Sequence, residues 1–141
     1  MSILSRSVVT VSRTASVLDA IHAMTGAKAG SVAVVENNHL EGIFSERDVM
    51  LRVVAEGRDP RTTLVQEVMT TPVQTVHQRI TGDEALRIMV QNHIRHLPVV
   101  DQKGHVQAMV SMRSLLEEKI TDLYQQIDSL ESYITADGIG G

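Results

Sequence analysis

The chain has no cysteine and no tryptophan, and only one phenylalanine, two tyrosines and three prolines in 141 residues. Without cysteine there is no disulfide, no thiol nucleophile and no thiolate ligand for zinc or an iron–sulfur cluster. That fits a reducing compartment, and a cytoplasmic location is expected. Aromatic residues at 2% leave little with which to stack exposed bases, which argues against a reader of single-stranded nucleic acid. Thirteen Lys and Arg against 17 Asp and Glu give a net charge of −4 with His neutral, so there is no basic footprint for duplex DNA either. No apolar run approaches the roughly 18 residues of a membrane span. Residues Met1–Ser7 lack the apolar core of a signal peptide and lead into a strand-like run at Val8. The expectation is a soluble protein with neither nucleic acid nor membrane as partner.

Val, Ile, Leu, Met and Ala therefore have to build the core. A hydrophobic fraction of 43% beside 21% charged residues is globular, in one domain or in two half-sized units that share a core. An internal repeat decides for the second. Residues 8–35 laid over 73–100, a shift of 65, match at Val8/Val73, Thr10/Thr75, Val11/Val76, Ala20/Ala85, Met24/Met89, Val34/Val99 and Val35/Val100. One extra residue near Gly104 moves the shift to 66, and Ser45/Ser111 and Arg47/Arg113 then match as well.

Each copy reads strand, helix, strand, strand, helix. In the first, Val8–Val11 alternates as a strand, and Ser16 with Asp19 three residues on marks a helix start. The apolar run Ser31–Val35, too short for a helix, is followed by Leu40–Ser45 as its hairpin partner, and a helix begins after Ser45. The second copy repeats this with Val73–Val76, a helix from Thr81 and Glu84 through Asn92, and the pair Leu97–Val100 and Val106–Ser111. The division expected is a first copy over 1–57, a connection over 58–71 with one short helix, a second copy over 72–118, and a helix and tail over 119–141. A unit of about 45 residues buries too little apolar surface alone. Two β-α-β-β-α copies packed as an intramolecular pseudo-dimer, a mixed α/β (α+β) fold, is the economical solution, and grooves between the copies become candidate ligand sites.

Three segments carry a likeness to a known family: Val68–Val76 around Pro72, Ile94–Asp101 containing Arg95-His96-Leu97-Pro98, and Gly42–Val49 containing Ser45-Glu46-Arg47-Asp48. Together with the repeat, over roughly residues 5–118, the chain resembles a tandem pair of CBS (cystathionine-β-synthase) domains, a Bateman module. The resemblance implies a regulatory, non-catalytic sensor of an adenine nucleotide (AMP, ADP or ATP), with S-adenosylmethionine or NAD as other ligands seen in such modules.

Ser45 and Asp48 have the spacing of a capping box, which would satisfy orphan amides at a helix start. The resemblance implies instead, or in addition, that Asp48 accepts from both ribose hydroxyls, for which a carboxylate's two oxygens are suited, while Ser45 touches ribose or phosphate. Arg95 and His96 would be a solvated strand edge in isolation; the resemblance points them at phosphates, with Arg95 charged at any physiological pH and His96 only if its pKa were raised. Val73, Gln74 and Thr75 would wall the adenine and Ile43 and Phe44 close the slot, with Arg47 and Pro98 counted to the same site. A weaker second site is expected from Val9, Thr10, Gly30, Ser31, Ser111 and Ser114, because Ser114 stands where the first copy has Asp48, and Gly30-Ser31 where the second has Arg95-His96.

No metal site and no catalytic residues are expected. Histidines 22, 39, 77, 93, 96 and 105 are scattered without a ligating motif, and the methionines read as core packing in an aromatic-poor chain. The competing reading is an interaction scaffold with a vestigial pocket, and a regulated protein partner is left unidentified. Leu116, Ile120, Leu123, Ile127, Leu130 and Ile134 recur at 4, 3, 4, 3, 4, a heptad seam. It extends the last helix to about residue 134, ending before Gly138, and either packs on its own module or on another chain; a homodimer through the repeat helices and this helix is expected.

Overall fold

The computed structural model describes residues 8–134. Along the chain lie β1 (Thr10–Ser12), α1 (Val17–Ala27), β2 (Ser31–Glu36), β3 (His39–Ser45), α2 (Glu46–Asp48), α3 (Val65–Val68), β4 (Val76–His77), α4 (Gly82–Asn92), β5 (His96–Val100), β6 (Val106–Ser111) and α5 (Met112–Ile134). The helix opened by α2 continues over Val49–Val54 as a π-helix, with Ala55 N–H bonded to the Met50 carbonyl at 3.0 Å and Arg58 N–H to that of Val53 at 2.9 Å. Each copy forms a three-stranded sheet, ordered β1-β2-β3 and β4-β5-β6, parallel at its first pair and antiparallel at its second. Among the described residues no helix is long and apolar enough to cross a membrane.

Local chemistry repeats with the sequence. Ser16 and Thr81 cap α1 and α4, their hydroxyls accepting from Asp19 N–H at 3.0 Å and Glu84 N–H at 3.1 Å. Both helices end on a left-handed non-glycine residue, Lys28 (φ 53°) and His93 (φ 55°), equivalent across the repeat. The following amides, Ala29 and Ile94, reach back to the Met24 and Met89 carbonyls at 2.9 and 3.0 Å, which closes the helix by the Schellman pattern. The two hairpins differ in their turns. Asn37 and Asn38 both take positive φ in the first, whereas in the second Asp101 accepts from the amides of Lys103 and His105 at 2.8 and 2.9 Å. Those two bonds hold the Asp101 carboxyl below its ordinary pKa.

The first strand of each copy is shorter than its alternation suggests. In the first copy pairing starts at Thr10, not Val8, although the Val9 carbonyl still accepts from Ala33 N–H at 2.8 Å. In the second, Val73–Thr75 are not strand and pairing begins only at Val76↔Val99. The cause is Pro98, which occupies the place of Ala33 one repeat on. A proline has no N–H to give, so the bond that holds Val9 has no counterpart at Gln74.

Each copy has its own apolar cluster. Val17, Ala20, Met24, Val32, Val34, Phe44 and Val53 form the first, which also takes in Val65 and Val68 of α3. Val76, Ala85, Met89, Leu97, Val99, Ala108, Val110 and Leu115 form the second. The copies meet along their hairpins. His39 and His105 pair as a bridge, their rings 4.6 Å apart edge to face. The connecting chain also adds a bridge, with Ile43 and Thr70 exchanging backbone bonds at 3.0 and 2.8 Å. Gly42 permits that approach, since a Cβ there would lie 2.9 Å from the Thr70 carbonyl oxygen. As the heptad spacing predicts, α5 extends beyond the repeat to Ile134; its expected end before Gly138 lies outside the described residues.

Candidate functional site

Two constellations lie where the copies meet. The first is centred on Asp48, which is buried (7% exposed). Its Oδ2 accepts from the Ser45 amide at 3.0 Å and the Ser45 hydroxyl at 3.2 Å, and Asp48 N–H donates back to Ser45 Oγ at 3.3 Å. Its Oδ1 accepts from the Thr70 hydroxyl at 3.1 Å and faces Arg52 Nε at 3.5 Å. Arg52 also donates to the Met69 carbonyl at 2.9 Å. The capping box is therefore real, and the same carboxylate clamps the connection between the copies. A carboxylate has about four acceptor positions; three take hydrogen bonds and the Arg52 guanidinium lies against Oδ1, so a ribose bound through both hydroxyls would have to displace one of these partners.

The second constellation is a cavity of about 1330 Å³. Its apolar wall includes Val9, Ile21, Met24, Met109, Met112 and Ile120, and its polar lining includes Lys28, Gly30, Ser31, Glu46, Arg95, His96, Ser111, Arg113 and Ser114. Gly30 marks the point where the copies touch. A Cβ there would stand 2.6 Å from Glu46 Oε1 and 3.1 Å from His96 Nε2. Ser111 Oγ donates to Ser114 Oγ at 2.8 Å and accepts from Ser114 N–H at 3.1 Å, so the first turn of α5 is capped by hydroxyls as α2 is by Ser45 and Asp48.

The residues singled out from sequence are distributed unevenly. Val9, Gly30, Ser31, Ser111 and Ser114 come together in the cavity, and Arg95 and His96 join them there; Asp48 and Thr10 are not in its lining. Ile43 is buried against Thr70 and Phe44 is wholly buried in the first core, so the Phe44 side chain offers no surface to a ligand. Pro98 is likewise enclosed within the second copy. Val73 and Thr75 are half-buried, Gln74 and Arg47 exposed. The cavity thus joins residues expected of the weaker second site with Arg95 and His96, which were expected at the first, and Lys28 and Arg113 line it as well, beside Glu46 and Glu117. Arg52 at Asp48 and Lys28 at the cavity carried no motif in the sequence; Thr70 and Glu46 lie within the segments Val68–Val76 and Gly42–Val49 but were not singled out there as site residues. Arg113 was visible only as the repeat of Arg47.

His96 is not a cation here. Burial pushes its pKa below the ordinary value and Arg95 pushes the same way, against an opposing pull from Glu46. At neutral pH it is a neutral hydrogen-bonding group. The unfolded chain takes up a proton at His96 near about pH 6.5 while the folded chain resists it. Its contribution is therefore neutral above that pH and destabilising below it. In urea unfolding at pH 7 and pH 5, the parent chain should lose more stability on acidification than His96→Asn. A variant with the steeper loss would contradict the assignment.

A comparison with family models matches the CBS domain twice, over residues 1–55 and 65–120. The chain belongs to the CBS-domain family. Among solved structures, a CBS-domain protein from Burkholderia ambifaria superposes with a TM-score of 0.76 at 34% identity, covering 83% of this chain and 85% of that one. A hexameric CBS-CP12 protein from bloom-forming cyanobacteria gives a TM-score of 0.73 at 25% identity over 97% of this chain and 88% of that one. An uncharacterized protein of Methanopyrus kandleri is 34% identical over 113 residues, 79% of this chain; the chain spans only 58% of that relative's length. CBS tandem proteins are in general regulatory ligand-binding modules, commonly of adenine nucleotides and often oligomeric. Relatives made only of CBS domains are generally non-catalytic.

Proposed function

We propose that this CBS pair is a regulatory sensor that takes an adenine nucleotide (AMP, ADP or ATP) in the cavity between its repeats. The observation that carries the reading is the meeting of three cationic side chains, Lys28, Arg95 and Arg113, with a wall of Val, Ile and Met in one space of about 1330 Å³, more than a drug-sized ligand needs. Phosphates would sit beside Arg95 and Lys28, the ribose against Ser111 and Ser114, and the base on Val9, Met109 and Met112 without aromatic stacking. Ser45 and Asp48 with Val73–Thr75 are the alternative seat for the ribose and base. The three hydrogen bonds and the ion pair that Asp48 already makes favour a structural role there, which is also what a scaffold with a vestigial pocket would have. The exposed Met50, Leu51, Val54 and Val90 on the repeat helices support a second copy as partner.

Calorimetric titration with ATP, ADP, AMP and adenosine tests this. Binding should strengthen with phosphate number and weaken with salt, as expected for contacts between exposed charges. Ser114→Ala should weaken it. Affinity that follows Asp48→Ala but not Ser114→Ala would move the ligand to the alternative seat, and no binding of any of the four at millimolar concentration would leave the scaffold reading.

A further inference from the structure

Helix α5 leaves its module. Of its 23 residues only Leu115 is buried, and from Lys119 to Ile134 every residue is exposed. The seam Leu116, Ile120, Leu123, Ile127, Leu130 and Ile134 is 45–59% exposed throughout, so the module itself does not cover it. An isolated helix of about 15 residues is marginal in water, and a stripe of six large aliphatics along one needs a cover.

The residues of the seam state what covers it. The spacing puts Ile120, Ile127 and Ile134 at heptad position a and Leu116, Leu123 and Leu130 at position d. β-Branched residues at every a and leucine at every d favour parallel two-stranded coils. The flanking positions agree. In a parallel pair each g residue faces the e residue five positions on in the other helix, which sets Lys119 against Tyr124 and Gln126 against Glu131, with no like charges opposed. In the antiparallel pair that keeps all six layers, e faces e, and Glu117 of each chain would lie against Glu131 of the other, twice. Like charges at these positions are selected against.

We infer that α5 pairs with α5 of a second copy of this chain as a parallel, in-register, two-stranded coiled coil over residues 116–134. This goes beyond the proposed nucleotide site and does not depend on it. Because Leu116 and Ile120 also line the cavity, the partner helix would stand at the mouth of that space.

The absence of native cysteine makes disulfide trapping in the full chain a clean test. In the parallel coil the two copies of residue 130 face one another, within the roughly 7 Å between Cα atoms that a disulfide tolerates. In the antiparallel coil residue 130 faces residue 120, and the two copies of residue 130 lie about 15 Å apart along the axis, at 1.5 Å per residue. Leu130→Cys should therefore oxidise to a covalent dimer, and Ser132→Cys, on the outer face, should not. The helical ellipticity of Ile127→Asp should fall by a part of α5 while the module still unfolds cooperatively. The inference is overturned if Leu130→Cys stays monomeric on a non-reducing gel. It is overturned equally if Ser132→Cys cross-links as fast, or if a mixture of Leu130→Cys and Ile120→Cys yields only the mixed dimer.

Discussion

Asp48→Ala should destabilise the chain by about 2–4 kcal/mol with no ligand present, from the loss of the carboxylate's charged hydrogen bonds at about 1.5–3 kcal/mol each. The carboxylate holds the first turn of α2 through Ser45 and the connecting chain through Thr70, with Arg52 alongside. Removing it leaves the half-buried Ser45 and Thr70 hydroxyls and the Ser45 amide without an acceptor, while the Ser45 hydroxyl still caps the amide of residue 48. Thr70→Val removes one of these bonds and should cost about 1 kcal/mol. Urea denaturation of the three proteins measures the difference. A loss for Asp48→Ala of under about 0.5 kcal/mol, the scale of an exposed pair, would mean that the network adds nothing beyond surface electrostatics. The result also bears on binding experiments, because an affinity lost in this variant has to be separated from a cleft that has loosened.

Arg95→Ala should weaken ATP binding by about tenfold to a hundredfold, the equivalent of one charged hydrogen bond of roughly 1.5–3 kcal/mol, and leave stability within about 0.5 kcal/mol. Arg95 is exposed at the cavity; its backbone carbonyl accepts from Met112 N–H at 2.8 Å, and its charge helps hold the His96 pKa down. The substitution does not touch that bond. Adenosine, without phosphates, should bind Arg95→Ala and the parent chain alike, and that contrast separates a phosphate contact from a general change in the cavity. Equal loss for ATP and adenosine, or no loss for either, would take Arg95 out of the site. Arg113 is expected to matter less. Its side chain is 89% exposed and already paired with Glu117 at 3.0 Å, so water competes for it more effectively.

The repeat made most of the fold legible in one dimension, because local rules set most of its parts. Ser16 and Thr81 stand where helix amides need an acceptor, and the short apolar run Ser31–Val35 and the alternating run Val106–Ser111 read as strands. The hairpins were visible for the same reason, and so was the heptad stripe that carries α5 past its module to Ile134. The misplaced strand Val73–Val76 shows where such rules stop. Its pairing depends on whether residue 98, more than twenty positions away, has a proton to donate, and Pro98 does not.

The site divided along the same line. Ser45 and Asp48 as a cap follow from residue type and spacing, which the chain carries by itself; Arg95 as a phosphate-facing cation came only with the resemblance, and the close approach at Gly30 only with the structure. The tertiary structure alone decided which of these groups share a space. It set Arg95 and His96 beside Gly30 and Ser114, where Lys28 from the end of α1 joins them, and it filled the acceptors of Asp48 with Thr70 from a segment 22 residues on. It also lowers the pKa of His96, since the ring loses water only once the fold buries it. Composition and periodicity report on neighbours a few residues apart; contacts between the two copies, and the loss of water they cause, exist only once both have folded against each other.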